Sequence, residues 1–99
     1  MPSEEHLNKI KQGVDVWNQW REENPQTVPD LSQADIRGYQ LQKINLSNTD
    51  LKEAKLQYSN LTGATLEKAD LNKAKLLETN FQSANLKNTN LSGAGLLES

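Results

Sequence analysis

Leucine, or one stand-in for it, recurs at every fifth position between Leu31 and Leu96. The centres are Leu31, Ile36, Leu41, Leu46, Leu51, Leu56, Leu61, Leu66, Leu71, Leu76, Phe81, Leu86, Leu91 and Leu96. Two residues before most of them stands a small residue, such as Ala34, Thr49, Ser59, Ala69 or Ala84. Immediately before the centre, Asp or Asn appears at Asp30, Asp35, Asn45, Asp50, Asn60, Asp70, Asn80, Asn85 and Asn90. Three coupled positions holding register across this whole span are not chance.

A five-residue period suits neither standard element. On an α-helix each centre would turn by about 500° from the last, a net step of about 140°, and the leucines would scatter around the axis. In a flat strand they would point alternately to opposite faces. All of them go inside only if the chain turns a corner once per unit. Four such sides close a square coil of about 20 residues, and successive coils stack as parallel strands about 4.8 Å apart. The centres then fill the axis, and the small residues fit beside them.

The units Ala34-Asp35-Ile36, Ala69-Asp70-Leu71 and Ala84-Asn85-Leu86 resemble the Ala-(Asp/Asn)-Leu-x-x repeat of the pentapeptide-repeat family. That resemblance implies an all-β solenoid, a right-handed quadrilateral parallel β-helix of about 3.5 coils. The expected layout is an N-terminal α-helical cap and linker over residues 1–28 and the β-helix over 29–99. The resemblance says little about activity, because the repeating residues are those that build the interior.

Composition agrees once the spacing is known. The chain is 34% hydrophobic, with a mean hydropathy of -0.81, which alone leans toward disorder. A coil needs only one large apolar residue in five. The chain has no cysteine, so neither a disulfide framework nor a thiolate metal site is possible. No apolar run is long enough to cross a bilayer, and Glu4 and Glu5 stand where a secretory signal would be basic. A cytoplasmic protein is expected.

Residues 1–28 do not repeat. Ser3 suits an N-cap, Glu4 and Glu5 suit a first helical turn, and Leu7, Ile10, Val14, Trp17 and Trp20 share one helical face. Pro25 ends this helix by Asn24. An open coil edge exposes backbone donors, acceptors and core leucines, so the helix is expected to cover the first coil. Tyr39 and Ile44 are the bulky residues at the small position, both in that coil, and are expected near Trp17 or Trp20. The segment Gly13-Val14, Trp17-Asn18, Trp20-Arg21, Asn24-Pro25 and Pro29-Asp30-Leu31 resembles the leader of many cyanobacterial members of the family. A membrane-surface role is disfavoured because acidic residues outnumber basic ones in this helix.

Catalysis has no foothold in the sequence. His6 is the one histidine, lies near an end expected to be mobile, and has no Ser or Asp spaced to pair with it. No glycine-rich phosphate loop, zinc spacing or basic nucleic-acid footprint is present, and the net charge is -2. No cofactor, nucleic acid or membrane partner is expected. Some pentapeptide-repeat proteins present an acidic rod to a type II topoisomerase. Here the repeats carry eight basic and eight acidic residues, so a DNA-mimic role is a secondary reading. Outward threonines are too irregular for an ice-binding face.

The expected function is a non-catalytic protein-protein interaction or scaffold module, the alternatives being the DNA mimic and a purely structural protein. Several relatives in the resembled family bind regulatory proteins. Two surfaces are candidates for contact. Tyr58, Leu77 and Leu97 fall on one outer face, where the two leucines are expected to stack outward. Phe81, Leu86, Leu91 and Leu96 would form the last coil's edge, which either pairs two molecules end to end as a homodimer or continues into a longer natural chain. The Asp30, Asp50 and Asp70 column reads as a solvated polar position relieved by Lys52 and Lys73.

Overall fold

The computed structural model describes residues 2–95. It opens with two helices, α1 (Glu4–Lys11) and α2 (Val14–Glu23). Ser3 caps α1 as the sequence suggests, its hydroxyl accepting from the His6 amide at 3.3 Å. The single helix expected from the apolar stripe is corrected to two. Gly13, at φ 107°, lies in a region that L side chains rarely adopt, and the chain bends there before α2 begins. The stripe survives the bend: Ile10, Trp17 and Trp20 are buried, and Leu7 and Val14 pack against the same cluster. Trp17 and Trp20 meet at 5.1 Å, tilted by 51°.

From Asp30 onward the chain returns on itself every twenty residues. Parallel bridges join Asp30 to Asp50, Asp50 to Asp70 and Asp70 to Asn90, and three further ladders start at Asp35, Gln40 and Asn45. All four ladders keep the twenty-residue spacing. Leu31 donates its amide to the Asp50 carbonyl at 2.8 Å, and the Asp50 amide donates to Pro29 at 3.0 Å, the pattern repeated at later coils. The centres from Leu31 to Leu76 are all buried, beside Ala34, Thr49, Ala54, Ser59, Ala64, Ala69 and Ala74.

The parallel strands expected of stacked coils are reduced to single bridges among the described residues. Geometry explains this: in each unit the residue three after the centre donates back to it, as Ala34 does to Leu31 at 3.0 Å. The residue before that donor has positive φ, 62° at Gln33 and 64° at Lys43, as a type II turn requires. The turn consumes so much of a five-residue unit that no run of extended residues is left. Ile44 is buried in the cluster that holds both tryptophans, and Tyr39 packs at its margin.

Candidate interaction surfaces

At the first coil, α1 and α2 supply the hydrogen bonds that a preceding coil would otherwise provide. On the Asp30 side, Ser3 donates its amide to the Asp30 carbonyl at 3.0 Å, and the Asp30 amide donates to His6 Nδ1 at 2.9 Å. His6 is therefore engaged, not loose as its place near the terminus suggests, and its ring lies 4.9 Å from that of Trp20. On the Asn45 side, the Asn18 amide group acts like a backbone unit. Its Oδ1 accepts from the Asn45 amide at 2.8 Å, while its Nδ2 donates to the Lys43 carbonyl at 3.1 Å. Trp17 Nε1 donates to the Asn45 carbonyl at 2.7 Å.

Arg21 completes this seal. It is 8% exposed and donates through Nη1 to the Asn45 carbonyl at 3.0 Å and to Thr49 Oγ1 at 3.3 Å. Its Nη2 donates to the Ser47 carbonyl at 2.9 Å. These partners are all neutral, and burial lowers the guanidinium pKa from its ordinary value. Sequence reasoning assigned no role to Asn18 or Arg21, although both lie within the leader motif. Their chemistry depends on carbonyls more than twenty residues away, which no local pattern reveals.

The outer faces resolve the Asp and Asn positions. Each of the nine accepts from the amide two residues on, from Ser32 to Asp30 at 3.0 Å through to Ser92 to Asn90 at 3.0 Å. The position therefore braces the turn that follows the centre. Lys52 Nζ lies 3.2 Å from Asp50 and 3.7 Å from Asp70, which relieves the stacked carboxylates. Lys73 has no ion pair among the described residues. No group of three His, Cys, Asp or Glu side chains suited to a metal ion occurs among the described residues. Tyr58 is 57% exposed and Leu77 half-buried, while Leu97 lies outside the described residues.

Among the described residues no helix or further coil covers the other end of the ladder. Burial of the centres falls through half-buried Phe81 and Leu86 to exposed Leu91, and Leu96 lies outside the described residues. Leu76, Phe81, Leu86, Leu91 and Ala94 line an apolar recess of about 250 Å³. The amides of Phe81, Ser83, Leu86, Asn88, Leu91 and Gly93 match those that reach the next coil elsewhere, yet have no partner among the described residues. No described helix is long and apolar enough to cross a membrane.

Stacked twenty-residue returns with one interior residue in five define a repeat protein, a class with structural or interaction roles. The sequence model for pentapeptide repeats matches residues 30–67 and 59–96, in 8 copies, and the chain belongs to that family. A comparison with curated proteins gives no match.

Proposed function

We propose that this chain is a non-catalytic interaction module, built as the right-handed quadrilateral β-helix general to its family, whose binding element is the open edge at Phe81, Leu86 and Leu91. The occupant is a second copy of the chain. One contrast carries the reading: the helices bond to the first coil, whereas six amides and an apolar axis face outward at the last described coil.

A partner for that edge must offer donors, acceptors and an apolar centre of the same outline. Another copy of the edge has all three, since each side presents amides at the centre and two residues on, beside the carbonyls of Thr79, Ala84, Thr89 and Ala94. Head-to-tail stacking is obstructed because α1 and α2 cover the axis at the first coil. An isologous contact about a two-fold axis avoids that obstruction and closes as a dimer instead of growing a filament.

Charge favours the same occupant. Residues 81–99 carry two charged side chains, Lys87 and Glu98, whereas residues 61–80 carry six, namely Glu67, Lys68, Asp70, Lys73, Lys75 and Glu78. Open edges are commonly protected by charge, and this one is nearly bare of it. Two copies meeting here would bring few like charges together. The cytoplasm is the compartment we expect for such a module.

Sedimentation equilibrium of the 99-residue chain tests the reading. A dimer at micromolar concentration, converted to monomer by Leu91→Lys and by Leu86→Lys with the circular dichroism spectrum unchanged, supports it. A monomer across the accessible concentration range, or a dimer indifferent to both substitutions, overturns it.

A further inference from the structure

We propose that His6 is a proton-operated latch on the N-terminal seal: uncharged, it holds the Asp30 amide through Nδ1, and protonated, it releases that corner of the first coil. The geometry demands one protonation state. A backbone N–H donates to Nδ1 at 2.9 Å, so Nδ1 must offer a lone pair, and an imidazolium has protons on both nitrogens and no acceptor. Taking up a proton there removes the hydrogen bond and sets two N–H groups against each other.

The surroundings make the exchange possible. His6 is half-buried, so protons reach it without unfolding. Facing it from the first coil is the Asp30 carboxylate, from α2 the uncharged Trp20 indole, and on its own helix the charged groups are Glu4, Glu5, Lys9 and Lys11. Burial raises the Asp30 pKa. Bonds from the Ser32 hydroxyl and amide outweigh that, attraction to the amino terminus and to His6 adds to them, and the net shift is downward. Asp30 thus stays ionised where imidazoles titrate, and a charged ring has a carboxylate to turn toward once it leaves the amide.

Ser3 sits beside the latch. Its amide still donates to the Asp30 carbonyl after His6 lets go, so α1 loses one of two anchors on this residue. The Asp30 side is therefore the part of the seal that loosens. The Asn45 side, held by Trp17, Asn18 and Arg21, contains no group that titrates near neutrality.

Amide hydrogen exchange read by NMR tests the latch, with Asp50 as the internal reference because its amide is bonded within the ladder to Pro29. His6 is the only histidine, so its ring resonances report protonation without ambiguity. The expected result is that Asp30 protection, relative to Asp50, falls about tenfold as the ring titrates, the factor that loss of one hydrogen bond of about 1.4 kcal/mol gives. His6→Asn, which keeps an acceptor at the same bond distance and cannot titrate, should hold Asp30 protected at every pH. His6→Phe, which keeps a ring against Trp20 without an acceptor, should leave it unprotected at every pH. Asp30 protection that ignores the imidazole titration, or a phenylalanine variant as protected as the parent, overturns the proposal.

Discussion

Leu71 and Leu91 hold the same place one coil apart, yet Leu71 is 0% exposed and Leu91 is 42% exposed. The difference is the coil that follows Leu71 in the described structure. Leu71→Ala should cost about 2–5 kcal/mol, since it removes buried methyls and leaves a cavity in a closely packed axis. Leu91→Ala should cost the isolated chain about 1 kcal/mol or less, in line with the smaller apolar area it removes from water. Urea unfolding of both variants at a concentration that keeps the chain monomeric checks the ranking.

Much of this was legible in the sequence. The five-residue period identified every buried centre from Leu31 to Leu76, and the family match agrees with the Ala-(Asp/Asn)-Leu reading. Ser3 opens the helical segment as its capping chemistry suggests, and the segment ends at Asn24, just before Pro25. The break at Gly13 was written in the chain but hidden by an apolar stripe that continues across it. The turn geometry was less visible, because residues as different as Lys43, Glu53 and Tyr58 all take positive φ there. Position in the repeat overrides their own preference. The helical cover over the first coil was legible, but its hydrogen bonds were not: His6, Asn18 and Arg21 act on Asp30, Asn45 and Ser47, and only the folded coil brings those groups within reach.

Arg21 gives the seal its largest single test. Arg21→Ala should destabilise the chain by about 2–4 kcal/mol, because carbonyls at Asn45 and Ser47 lose a charged donor while partly shielded from water. Arg21→Lys should recover less than half of that. One ammonium is a compact donor and does not reproduce the planar fork that spans both carbonyls. Thermal unfolding followed by circular dichroism measures the two losses. Equal stability of the lysine variant and the parent would show that charge, and not the fork, holds α2 down.

Backbone strain predicts opposite signs at two equivalent turn positions. Gly38 has φ 72°, and a Cβ built there meets nothing within 4 Å, so Gly38→Ala adds only the left-handed cost of about 1–2 kcal/mol, offset by about 0.5–1 kcal/mol from the stiffer unfolded chain, for a net loss of about 0.5 kcal/mol. Lys68 is exposed at φ 63° and carries that cost already. Lys68→Gly relieves it, less about 0.5–1 kcal/mol of added chain entropy in the unfolded state, for a net gain of about 0.5 kcal/mol. Chemical denaturation midpoints of the two variants should therefore move in opposite directions.

Asp35 carries the clearest pH dependence. Arg37 donates through Nε to Asp35 Oδ1 at 2.8 Å and through Nη2 to Oδ2 at 2.7 Å. Chiefly through that side-chain bond, partly offset by burial, the carboxyl pKa falls from 3.8 to about 2. A pKa lower in the folded state means the contribution is present above the unfolded value and is lost as pH falls from about 4 toward 2. Both side chains are about half exposed, so water and salt screen the pair and keep its contribution small. Asp35→Asn keeps an oxygen for the Arg37 amide, which donates to Oδ1 at 3.3 Å, but cannot ionise. Its stability should lie slightly below the parent's at pH 7 and meet it near pH 2, with the gap narrowed by high salt. Urea midpoints taken between pH 7 and pH 2 measure that convergence, and a gap that widens on acidification would reverse the assigned sign.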